Sequence, residues 1–141
     1  MSRQNSKKIY ITDNDMNRLE ELLEVADSGR SRDNKHLEEL ARELERAEVV
    51  ESAEIPANVI TMNSVVLLKD MESGEEKQYT LVFPRQANIE QNKVSVLAPV
   101  GTAMIGCRIG HIITWNAPAG QRKMRVEKIL YQPEAAGDYH L

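Results

Sequence analysis

Two hydrophobic periods divide this chain near Pro56. Before it, apolar positions recur at three- and four-residue steps; after it, they alternate. Met16, Leu19, Leu22, Leu23 and Ala26 make one helical stripe, and Leu37, Leu40, Ala41, Leu44 and Ala47 make a second. Asp27-Ser28-Gly29 interrupts the pattern, and the second helix is expected from about Asp33. A short β-like run, Lys8 to Thr12, comes first. Thr12 then stands where a helix cap belongs, with Asp15 three residues on as a weaker form of the capping box. The short connection makes the two helices antiparallel neighbours. Helices of this length are marginal alone in water, so each leucine stripe needs the other.

Beyond Pro56 the strand period takes over. Ser64 to Lys69 and Lys77 to Pro84 flank a turn at Glu72-Ser73-Gly74, with Tyr79, Leu81 and Phe83 on one face. A polar stretch, Arg85 to Lys93, has no period and reads as a loop. Val94 and Val96 alternate with Ser95 and Leu97, and the chain then meets Ala98-Pro99. The run from Val100 to Ile105 is too short for an ordinary helix and is closed by Gly106. Proline suits the first position of such a turn, because its φ is already helical and its missing N–H has no partner there. Glycine suits the exit, where a left-handed residue is needed. Ile112 to Asn116, a turn at Ala117-Pro118-Ala119-Gly120, and a long strand from Arg122 to Tyr131 follow. The reading is α+β: an N-terminal antiparallel helical hairpin (a short coiled coil) over residues 1–53, then an antiparallel β domain with one short helix over 54–141.

At 41% hydrophobic and 28% charged residues, the composition is that of an ordinary soluble protein, and a single Phe and Trp make the core aliphatic. The net charge of −4 argues against general nucleic-acid binding, which needs many phosphate-neutralising cations. That charge is uneven. Asp13 to Glu54 carries a net −8, whereas Ile55 to Leu141 carries +1. Such asymmetry marks either parts with different partners or a plain solvated helical surface. No apolar run approaches the roughly 20 residues that span a bilayer. MSRQNSKK lacks the apolar core of a signal peptide, which points to the cytoplasm.

Chemistry is sparse. A single cysteine, Cys107, excludes an internal disulfide and a Cys-cluster zinc site, and it reads as a small buried hydrophobe. His36, His111 and His140 are scattered without metal-ligand spacing. No nucleophile elbow or phosphate-binding glycine loop is present. Arg122, Lys123, Arg125 and Lys128 lie on one strand, where alternation splits them between faces.

The block VSVLAPVGTAMIGCRIG, Val94 to Gly110, resembles the C-terminal domain of the Gre transcript-cleavage factors. With VITMNSVVLL at Val59 to Leu68 and the tail QPEAAGDYHL, it more closely resembles a related group, the Rnk family, regulators of nucleoside diphosphate kinase. The resemblance runs from about Ile9 to Leu141. It implies an FKBP-like fold for the second half, although a chain with 4% aromatic residues is badly placed to build a prolyl-isomerase pocket. It further implies RNA polymerase as the partner, docked through Leu97, Ala98, Pro99 and Val100. Leu97 and Ala98 replace the polar Asp-Ser pair that some Gre factors carry there, so the contact would be more apolar.

The hairpin tip departs from Gre. Gre factors present acidic tip residues that help to hold a catalytic magnesium, whereas here Asp27 and Asp33 flank Arg30 and Arg32. The hairpin is also shorter. The expectation is a monomeric, non-enzymatic, cytoplasmic bacterial regulator. It would use no cofactor and no metal, touch neither nucleic acid nor membrane directly, and compete with Gre-like factors near the secondary channel. Any effect on nucleoside diphosphate kinase would be indirect. Two other readings stay open: an interaction module for another enzyme or client, and a true cleavage factor.

Overall fold

The computed structural model describes residues 9–28, 34–117 and 120–138. Strand β1 (Tyr10–Thr12) leads into helix α1 (Asp13–Ser28), and helix α2 (Asn34–Arg46) returns to strand β2 (Glu48–Val50). β1 and β2 pair in parallel, Tyr10 opposite Glu48 and Thr12 opposite Val50, so the two ends of the hairpin are tied side by side. The start of α1 is made as its sequence requires: the Asp15 N–H donates to Thr12 Oγ1 at 3.0 Å. The stripe positions then turn inward, with Leu19 and Leu40 fully buried and Met16 and Leu44 nearly so. β2 was not expected; Glu-Val-Val had no period long enough to declare a strand.

A five-stranded sheet follows, built from β3 (Val65–Asp70), β4 (Glu76–Val82), β5 (Lys93–Ser95), β6 (Ile112–Ala117) and β7 (Gly120–Tyr131) in the order β5-β4-β3-β7-β6. Helix α3 (Pro99–Met104) lies between β5 and β6, and a short α4 (Pro133–Ala136) closes the described chain. The sheet is mixed rather than wholly antiparallel. β3 pairs antiparallel with β4 and β7, and β6 with β7, but β5 runs parallel to β4. The reason lies in the loop between them. Residues 83–92 fold into two 3-10 turns, Pro84–Gln86 and Ile89–Gln91, and this crossover carries the chain back to start β5 alongside β4 rather than hairpinning.

One hydrophobic cluster holds both halves. Ile9, Ile11, Leu19 and Leu40 from the hairpin and its base join Ile60, Met62, Leu68, Leu81, Met104 and Ile113 from the sheet region. The core therefore runs across the position 53/54, where the type of element changes. As the composition requires, it is aliphatic and methionine-rich, with Phe83 and Trp115 only partly buried against it.

Candidate functional site

The segment Leu97–Val100 is held from both sides by hydrogen bonds of its neighbours. β5 ends at Ser95, whose Oγ accepts the Leu97 N–H at 3.0 Å and whose carbonyl accepts the Ala98 N–H at 3.0 Å. Ala98 is extended at φ −73° and ψ 151°, Pro99 occupies the first helical position, and the Thr102 N–H donates to the Ala98 carbonyl at 2.9 Å. The Thr102 hydroxyl reaches back to the Val96 carbonyl at 2.6 Å. At Gly101 the helix backbone presses on the strand so closely that a Cβ would lie 2.0 Å from the Ser95 carbonyl oxygen. These contacts give the loop one shape. Leu97, Ala98 and Pro99 are half-buried at the surface, while Val100 turns inward and is 7% exposed. Of the four residues singled out in the sequence, three are thus available to a partner and Val100 supports them from the core.

The far end of α3 is clamped to the hairpin base. Gly106 is left-handed at φ +78°, and a Cβ there would sit 2.7 Å from Ile9 Cβ. Its N–H donates to Ile60 and its carbonyl accepts from Tyr10, the first residue of β1. Cys107 is buried and donates its S–H to the Ala103 carbonyl at 3.3 Å, as expected of a packing residue. The candidate loop, the helix behind it and the root of the hairpin are one connected piece.

At that root lies a polar network the sequence reading missed. Asp15, 1% exposed, accepts from the Met62 N–H at 3.0 Å and from Arg18 at 2.5 Å. Glu134, at the start of α4, accepts from the Thr61 hydroxyl at 2.7 Å, and Thr61 in turn bonds Ser64. Burial raises both carboxyl groups above their ordinary range. Arg18 and the amide donor draw Asp15 back down, whereas the Asp15 charge pushes Glu134 further up. Arg18 also stacks over the Phe83 ring at 5.0 Å. Two acids 119 positions apart in the chain gave no local pattern. The only signal was an Asp where the capping box expects a Glu.

Residues 7–50 match the family described as Rnk N-terminus, and residues 55–131 match the C-terminal family of the transcription elongation factors GreA and GreB. The Escherichia coli K12 protein called regulator of nucleoside diphosphate kinase is 38% identical over 94% of this chain and 96% of its own. The chain belongs to the Rnk family. Its relation to the Gre group is also visible in structure. A GreA/GreB-type transcription elongation factor from Nitrosomonas europaea superposes with a TM-score of 0.73 at 40% identity, over 87% of this chain and 99% of that one. GreA of Thermosipho melanesiensis is 34% identical over 64% of this chain and 56% of its own.

In this Rnk-family chain the other residues noted in the sequence do not gather into a site among the described residues. Asp27 lies in the last turn of α1, and Arg30, Arg32 and Asp33 lie outside the described residues. Arg122 pairs with Asp70 and Arg125 with Glu127 on the sheet, and Lys123 and Lys128 face solvent. His111 Nδ1 accepts from the Arg108 N–H at 3.2 Å; His36 is on α2 and His140 is outside the described residues. Among the described residues no three His, Cys, Asp or Glu side chains are grouped to hold a metal. Among them, too, no helix is long and apolar enough to cross a membrane.

Proposed function

We propose that this protein is a non-enzymatic regulator that docks on RNA polymerase near its secondary channel through Leu97, Ala98 and Pro99. It acts by occupancy, competing with Gre-like factors without stimulating transcript cleavage. The observation that carries this reading is the pre-shaped loop: a proline-led surface segment fixed by Ser95, Gly101 and Thr102, in a chain whose second half matches the GreA/GreB C-terminal family. A rigid, apolar, partly exposed segment loses little entropy on binding. Occupancy rather than chemistry is favoured by the tip sequence, where Arg30 and Arg32 stand between Asp27 and Asp33 and would repel a cation. An influence on nucleoside diphosphate kinase, as in the name of the Escherichia coli relative, would follow through transcription.

The test is direct binding of the full chain to core polymerase. Pro99→Asp places a charge in the apolar contact and is expected to weaken binding at least tenfold, about 1.4 kcal/mol. Its melting temperature should stay near wild type, because residue 99 is at the surface. Unchanged affinity in a folded variant would remove this loop from the interface.

A further inference from the structure

We propose that Ile89 is a second anchor of the docking surface, an apolar knob that inserts into an apolar recess of the same partner that Leu97–Pro99 touches. This rests on the polymerase-docking reading above. Ile89 is 88% exposed, and the next most exposed large hydrophobic residue among those described, Leu130, is only 50% exposed. Scattered exposed apolar residues are normal on protein surfaces. Ile89 differs in how it is held.

Its turn is built entirely by polar groups around it. Asn88 Oδ1 accepts the Glu90 N–H at 3.0 Å, and Asn92 adopts the left-handed region at φ +57° while its N–H donates to the Ile89 carbonyl at 3.1 Å. Asn88 and Lys93 exchange both backbone hydrogen bonds at 2.9 Å, and the Asn92 carbonyl accepts from Thr80. None of these bonds uses the isoleucine side chain. A polar residue at 89 would close the same turn, so the fold gives no reason for isoleucine there. A side chain that contributes nothing to its own fold, yet is presented rigidly to solvent, has the properties of an interface anchor: large apolar area at small ordering cost.

Its location selects the partner. β5 is an edge strand of the five-stranded sheet, and the two features stand at its opposite ends. The Asn88–Lys93 clasp closes one end and the Ser95–Ala98 clasp the other. Lys93 and Ser95, which anchor the two clasps, are two strand steps apart, about 7 Å at ~3.3 Å per residue. We infer that a partner covering Leu97–Pro99 along this edge extends to Ile89.

The experiment measures affinity of the full chain for core RNA polymerase with Ile89→Ser, Ile89→Asp and Pro99→Asp, melting each variant in parallel. Ile89→Ser is expected to weaken binding about tenfold and Ile89→Asp more, both melting with wild type because the side chain packs on nothing. Loss of affinity in both the Ile89 and Pro99 variants supports the shared surface. Loss in Pro99→Asp with none in the Ile89 variants overturns the inference and leaves the docking loop standing. Loss in the Ile89 variants alone overturns the shared surface, because the Leu97–Pro99 loop would then lie outside the interface. Absence of binding by the wild-type chain overturns the docking reading, and the inference with it.

Discussion

Gly101 shows how a single missing atom shapes a surface. A Cβ placed there meets the Ser95 carbonyl oxygen at 2.0 Å, a backbone atom, so nothing flexible can yield. Gly101→Ala is expected to cost on the order of 3 kcal/mol as α3 lifts off β5. That is a fall of roughly 10 °C in Tm for a chain of this size. Gly74 makes the contrast. Its φ of +78° strains an alanine, but a Cβ there meets nothing within 4 Å, so Gly74→Ala should cost only about 1–2 kcal/mol. Thermal melts of the two variants separate close approach from backbone strain. If Gly101→Ala also weakens polymerase binding under conditions where it is folded, the loop's shape as well as its side chains makes the contact. The sequence marked Pro99 and Gly106 because their conformational roles are local. Gly101 carries its constraint from a residue on a neighbouring element, which no spacing rule displays.

Between elements, legibility followed the range of the interaction. The two leucine stripes, the Thr12 cap, the alternation of β3 and the existence of β4 and β7 were readable, since each depends on neighbours within a few positions; in β4, however, Leu81 and Val82 are both buried, so burial does not alternate there. β2, α4 and the parallel placement of β5 were not. β2 exists only because β1 lies beside it, and α4 is tied down by Gln132, which caps it while donating to the Pro56 and Val59 carbonyls. The buried carboxyl groups joining α1 to α4 belong to the same class and have a measurable consequence. The carboxyl group of Glu134 is raised from its ordinary value of 4.5 by burial first and by the Asp15 charge, partly offset by the Thr61 hydroxyl and Arg18. A raised acid holds its proton in the folded state where the unfolded chain has lost it. Its contribution is therefore full below pH ~4.5 and is lost as pH rises through the folded value. Glu134→Gln keeps the oxygen that accepts from Thr61 and cannot ionise. Relative to wild type it is expected to gain stability as pH rises from about 4.5 through the raised folded value, by a few degrees in Tm, and to keep that gain above it, with little difference at pH 4. A constant difference across that range would show that the raised carboxyl group has no part in the pH dependence.

In the whole molecule, the surface loop and the helical hairpin are joined through one core. α3 bears the loop at its start and meets β1 at its end, through Gly106 and Tyr10, and β1 opens directly into α1. Docking at Leu97–Pro99, as proposed, would therefore fix the hairpin's position as well. The helices have 16 and 13 residues, about 24 and 20 Å at 1.5 Å per residue, which sets the reach beyond that anchor. In the proposed reading, with Arg30 and Arg32 standing between Asp27 and Asp33 in the sequence, the arm would arrive without the paired carboxylates a second magnesium would need. Added to backtracked polymerase, the protein is expected to leave the rate of transcript cleavage unchanged. Added together with a Gre factor, it should slow Gre-stimulated cleavage as its concentration rises, and Pro99→Asp should shift that inhibition to at least tenfold higher concentration. Reach and chemistry can then be separated by Arg30→Asp with Arg32→Glu. If length is the limit, the acidic tip still gives no cleavage and inhibition persists. Cleavage by the double variant alone would make tip charge the missing element, and cleavage by the wild-type protein would replace occupancy with catalysis as the mode of action.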